Sequence, residues 1–145
     1  MERSLVLIKP DALQRGLAGE IISRLEKKGL KIVAMKMLHM DKALAQRHYA
    51  VHKWKAFFDD LVKFISSSPV IVIVFQGENA VEIIRQIMGE TDPSKAHSGT
   101  IRGDFGTDIG HNLVHGSDSR ENASEEIKLF FSAEEIFSYD RELDT

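Results

Sequence analysis

The residues best equipped for chemistry stand together at Asn112-Leu113-Val114-His115-Gly116-Ser117-Asp118-Ser119, where an imidazole, hydroxyls and a carboxylate sit among small side chains. A histidine nitrogen is a competent nucleophile once a neighbour fixes its tautomer, and Gly116 removes a side chain from one approach to it. That combination suits phosphoryl chemistry better than it suits a core. His115 is the candidate nucleophile; the plainer alternative is a loop histidine with a satisfied hydrogen bond.

A phosphate carrier needs cations around it, and the familiar devices are missing: there is no GxxxxGK[ST] loop and no GxGxxG after a strand. Any anion site must be assembled from scattered residues. Arg102 is flanked by flexible backbone in Thr100-Ile101-Arg102-Gly103-Asp104-Phe105-Gly106, and Arg85 lies at the solvent side of a helix leading into the same stretch. With Lys9 and the Thr91 hydroxyl they could converge on a polyphosphate, because guanidinium forks match phosphate oxygens in shape and charge. Taken singly, each also reads as a solvated surface charge. Of the adjacent Phe57 and Phe58, one must point away from the core, and an exposed ring beside a phosphate site can stack on a nucleobase. His48 and His52 are spaced by one helical turn, as His111 and His115 are in number, which invites a metal reading. Tyr49 follows His48 where H-E-x-x-H would need its general base, which argues against a zinc hydrolase.

These residues depend on elements that the hydrophobic pattern outlines. Leu5-Val6-Leu7-Ile8 is a continuous apolar run, as in a strand buried on both faces, stopped by Pro10. A helix follows from Gly19 with Ile21, Ile22 and Leu25 on one face and Gly29 as its stop. Leu30 to Leu38 reads as a second strand with Val33, Met35 and Met37 on one face, before Asp41 caps a polar helix reaching roughly His52. Phe57 to Ile65 is a helical stripe, Val70 to Phe75 a buried strand, and Val81 to Met88 an amphipathic helix ended by Gly89. Periodicity then disappears from Glu90 to about Asn122, a stretch holding Gly99, Gly103, Gly106, Gly110 and Gly116; an irregular segment of roughly thirty residues points to function. Ile127 to Phe131 fits both a helix and a strand. The strand is preferred here, with Glu126 on the face opposite Ile127, because Ser132 and Glu135 form a capping-box signature for a new helix immediately afterwards. Strand, helix, strand, then strand, helix, strand, suits an α+β, ferredoxin-like βαββαβ arrangement: a four-stranded antiparallel sheet covered by helices on one face, with a long irregular loop at about 90–122.

At 145 residues the chain reads as a single domain, 1–145. With 43% hydrophobic and 28% charged residues it has the composition of a globular protein, and Val70 to Phe75 is too short to span a bilayer. The N-terminal segment lacks a secretory pattern, so a cytoplasmic location is expected. The absence of cysteine excludes thiol catalysis and a disulfide framework, and a net charge of −3 argues against generalised nucleic-acid binding.

With these residues together, the chain resembles nucleoside diphosphate kinase over essentially its whole length. The family signature N-x-x-H-G-S-D-S stands unchanged at Asn112 to Ser119, supported by Ile8-Lys9-Pro10-Asp11-Ala12, Gln14-Arg15-Gly16-Leu17, His48-Tyr49, Gly89-Glu90-Thr91-Asp92-Pro93 and Gly99 to Phe105. The resemblance implies a ping-pong reaction: His115 takes the γ-phosphate of a nucleoside triphosphate such as ATP or GTP and passes it to a nucleoside diphosphate. Carried over residue by residue, Lys9 and Asn112 would hold the ribose hydroxyls, with Lys9 also near the transferred phosphate. Arg85, Thr91 and Arg102 would hold phosphates; Phe57 would stack on the base with Ile109 opposite; Tyr49, Ser117 and Glu126 would orient the site around the histidine. Mg²⁺ would be held mainly by the nucleotide phosphates, with no direct protein ligand. Stacking alone predicts broad base specificity. The resemblance further implies a homo-oligomer, a hexamer or tetramer built from dimers, needing neither membrane nor nucleic acid, and the tail Leu143-Asp144-Thr145 does not choose between the two. Ala56 and Ser98 stand where the family often has proline, beside elements it uses for closure and subunit packing. A non-catalytic RNA-binding module on the same sheet is the competing reading, disfavoured by the missing RNP1 aromatic pattern and the acidic balance.

Overall fold

The computed structural model describes residues 1–144; Thr145, the end of the expected domain and of the tail, lies outside the described residues. Four strands, β1 (Glu2–Ile8), β2 (Lys31–Leu38), β3 (Val70–Gly77) and β4 (Val114–Gly116), form one sheet in the order β2-β3-β1-β4. All three pairings are antiparallel. The helices are α1 (Pro10–Gln14), α2 (Ala18–Lys27), α3 (Lys42–His48), α4 (Phe58–Ile65), α5 (Ala80–Met88), α6 (Ile101–Phe105) and α7 (Arg120–Phe130). This is the expected βαββαβ order, with two helices between β2 and β3.

The central strands explain the layering. Leu5, Leu7, Val72 and Val74 point into one core with residues of α3, α4 and α7, whereas Val6, Ile8, Ile73 and Phe75 point into a second core with residues of α2 and α5. Helices therefore cover both faces of the sheet rather than one, because strands apolar at every position need both faces shielded.

Four further expectations change. Ile127–Phe131 is not a strand: residues 120–130 form α7, and Ser119 caps it by accepting from the Asn122 N–H at 3.1 Å. The fourth strand is instead the three-residue β4, too short to show a period of two. The capping box at Ser132 and Glu135 is present, but it opens only a single 3₁₀ turn, Ala133–Glu135. The stretch 90–122 is not irregular throughout, since it contains α6, β4 and a 3₁₀ turn at Pro93–Lys95, each shorter than the window in which periodicity registers. On β2, a register shift between Ile32 and Ala34 separates Val33, which is buried, from Met35 and Met37, which are 52% and 61% exposed.

Candidate active site

β4, the edge strand that pairs with β1, carries His115. Leu7 of β1 lies directly opposite His115 and Ile8 opposite Val114. Alternation along the strand turns Val114 and Gly116 toward α5 and His115 toward α7. Gly116 is dictated by that packing, because a Cβ there would lie 2.7 Å from Met88 Cε and 3.1 Å from Ile84 Cγ2. On the opposite face Glu126 of α7 reaches His115, its Oε1 lying 2.7 Å from Nε2. The second carboxylate oxygen accepts from the hydroxyl of Ser117, which is fully buried. Glu126 thus reaches the histidine from a helix, not from the strand face expected of it. Its carboxylate occupies Nε2, which leaves Nδ1 as the nitrogen carrying a free lone pair.

Immediately before β4 the buried Leu113 adopts φ +75°, a left-handed conformation that a branched residue holds only under constraint. Its N–H donates to Asp11 Oδ2 at 3.1 Å, and its carbonyl accepts from the Lys9 N–H at 2.9 Å. On the far side of this kink Asn112 accepts from Lys9 Nζ at 2.8 Å and donates to the Thr91 carbonyl at 3.0 Å. One amide therefore joins the end of β1 to the segment after α5.

Arg102 is buried and spends its guanidinium on three carbonyls: Nε on Asn112 at 3.3 Å, Nη1 on Gly89 at 3.0 Å and Nη2 on Val114 at 2.6 Å. Burial, with Arg85 nearby, pushes its pKa down to about 10. Burial and then the Arg102 charge lower Lys9 to about 8, against the smaller opposing pull of Asp11. Both cations are held at a cost that an anion in front of them would relieve. Burial and then Asp11 raise the Tyr49 phenol to about 12, so it remains a hydrogen-bond donor.

These groups face one cavity of about 1290 Å³. Lys9, Tyr49, Phe57, Arg85, Thr91, Arg102, Ile109, Asn112, His115 and Glu126 all line it; Ser117 sits behind Glu126. Phe57 is 48% exposed at the start of α4 while Phe58 packs into the core, and Ile109 is exposed on the loop before β4. Arg85 and Thr91 are also exposed.

Two participants are given no role at this site by sequence reasoning. Asp11 fixes the Leu113 kink, and His48 stands edge-on to His115 with ring centroids 4.9 Å apart. Burial, with the nearby His115, lowers the His48 pKa well below the ordinary imidazole value. The only available signals were the segments around them, Lys9-Pro10-Asp11 and His48-Tyr49. The histidine spacings misdirect: His111 is exposed and pairs with Asp108 at 3.0 Å, so it does not share a site with His115.

The family model described as "Nucleoside diphosphate kinase" matches residues 2–136. A nucleoside diphosphate kinase of Dehalococcoides mccartyi is 57% identical over 141 residues, covering 97% of this chain and 99% of that protein. One from Archaeoglobus fulgidus is 54% identical over 141 residues, covering 97% of this chain and 93% of its own length. Among solved structures, a nucleoside diphosphate kinase family protein from Babesia bovis superposes with TM-score 0.96 at 44% identity, covering 99% of this chain and 97% of that one. A halophilic nucleoside diphosphate kinase from Halobacterium salinarum, in complex with CDP, superposes with TM-score 0.94 at 51% identity, covering 97% and 94%.

Proposed function

The chain belongs to the nucleoside diphosphate kinase family, and from that membership we infer that it transfers the terminal phosphate of a nucleoside triphosphate to a nucleoside diphosphate, with His115 as the carrier. In the first half-reaction the bond between the γ-phosphorus and the β,γ-bridging oxygen breaks as a bond to a His115 nitrogen forms, and a nucleoside diphosphate leaves. In the second, a terminal oxygen of another nucleoside diphosphate takes the phosphoryl group and the imidazole is restored.

The roles of individual residues follow from their chemistry. Glu126 accepts the Nε2 proton and directs the lone pair on Nδ1 into the cavity; Ser117 and Tyr49 hold the surroundings of that pair. Lys9 neutralises charge on the transferred group and, with Asn112, holds the ribose hydroxyls. Arg85, Thr91 and Arg102 bind phosphates, so transfer rests on in-line positioning and charge neutralisation. Phe57 stacks on the base with Ile109 opposite, a contact that accepts any π-face and gives broad base specificity. The observation that carries the reading is the 2.7 Å contact between Glu126 and His115 inside a cavity lined by Lys9, Arg85 and Arg102.

Enzymes of this family use divalent cations. Mg²⁺ is the one proposed here, entering on the phosphates as part of the substrate. The donor set supports that route, since the one three-ligand cluster among the described residues contains two imidazoles rather than the all-oxygen shell a hard cation needs. No helix among the described residues is long and apolar enough to cross a membrane. A cytoplasmic location and a single domain at 1–145, active without nucleic acid, complete the proposal. So does a hexamer or tetramer built from dimers, supported by the exposed Met35 and Met37 on edge strand β2. Incubation of the protein with ATP and dTDP tests the activity: dTTP and ADP should appear in equal amounts with parallel-line kinetics, and leaving both nucleotides unchanged would refute it.

A further inference from the structure

His48 closes α3, His115 lies on β4 and Glu126 on α7, yet one ligand atom from each falls within 4.8 Å of the other two. His48 is the unusual member. Its ring is enclosed by Tyr49, His115 and Phe130, and neither of its nitrogens has a hydrogen-bond partner among the described residues. An imidazole buried without a partner forfeits the hydrogen bonds it would make to water and needs a reason.

We propose that His48, His115 and Glu126 form a binding site for a borderline transition-metal cation of the Zn²⁺ class, and that such a cation holds the enzyme in a reversibly inhibited state. Two imidazoles and a carboxylate are the donor set such ions select, whereas Mg²⁺ prefers oxygen and retains water. Tetrahedral ligands on Zn²⁺ stand roughly 3.4 Å apart, so side-chain adjustments of about 1 Å convert the observed cluster into a coordination shell. The two histidines draw together here across different elements, not within either i, i+4 pair. The open fourth position faces the cavity, because all three ligands line it.

The consequence for activity rests on the assignment of His115 as carrier. A metal shared with Glu126 takes the Nε2 lone pair of that imidazole, which sends the ring proton to Nδ1 and removes the lone pair that the phosphoryl group would take. Magnesium nucleotide leaves the site free; trace zinc blocks it until removed by a chelator.

The test is calorimetric titration of the whole chain with ZnCl₂ in excess Mg²⁺, read beside long-range ¹H–¹⁵N spectra of the histidine rings. One Zn²⁺ should bind per chain and move the ring nitrogens of both His48 and His115. Binding should weaken by about tenfold or more in folded His48→Gln, and the zinc-loaded wild-type protein should take no phosphate from magnesium ATP until a chelator is added. Unshifted His48 nitrogens or equal affinity in the folded variant would overturn the site, and undiminished phosphorylation of the zinc-loaded protein would overturn the inhibition. Zinc binding that depends on His48 in a protein that never becomes phosphorylated would preserve the site and defeat only the proposed activity.

Discussion

Lys9 bears a charge that the surrounding protein disfavours. With its pKa near 8, it is mostly protonated at neutral pH and loses that proton as the pH rises through 8. A bound polyphosphate stabilises the ammonium, so the bound form has the higher pKa, and above pH 8 binding must draw a proton from solvent. ADP affinity measured by calorimetry should therefore be flat from pH 6.5 to 7.5 and weaken by up to about tenfold per unit above 8. Lys9→Gln should bind more weakly at neutral pH and lose that upper slope; a slope unchanged in the variant would assign the titration elsewhere. At this scale the sequence discloses residue types but not contacts. His115, Lys9 and Arg102 stand out because few roles call for a histidine beside glycine or an arginine among glycines. His48 does not, since its pairing with His115 is made by chain folding and leaves no mark on local spacing.

Elements position these groups through close packing more than through loop geometry. α5 lies so near β4 that Gly116→Ala would drive a methyl group against Met88 and Ile84. Both neighbours are side-chain ends that can yield at a cost of about 1–3 kcal/mol, so melting should fall by several degrees, and kcat should fall further than that if His115 shifts with its strand. A calorimetric melting temperature and a kcat equal to wild type would show the contact to be slack. The long strands and helices are legible because their apolar periods persist over several turns. β4 and α6 are too short for any period to emerge, and their places depend on contacts with β1 and Arg102. α7 is ambiguous in sequence for a different reason: Ile127, Leu129 and Phe131 alternate as a strand would, while the Ser119 cap and the burial of Ala123 and Phe130 decide for a helix.

Across the whole molecule, β1 and β3 are sealed between two helical layers while β2 is left at the sheet's edge, presenting Met35 and Met37. An exposed apolar edge strand is a template for association, and the proposed dimer would cover it. Met37→Glu puts a charge on that edge without touching the cavity; it should convert the proposed oligomer into smaller species by light scattering and lower the melting temperature. An unchanged mass would move the interface to another surface. The buried central strands follow from patterning, whereas the fourth strand, the sheet order and assembly depend on contacts that no local pattern contains. The proposed activity turns on His115 carrying the phosphate. Incubation with γ-labelled ATP followed by acid and alkali treatment measures this directly: the protein should hold an acid-labile, alkali-stable phosphate that disappears in His115→Ala, and label surviving in that variant would contradict the account.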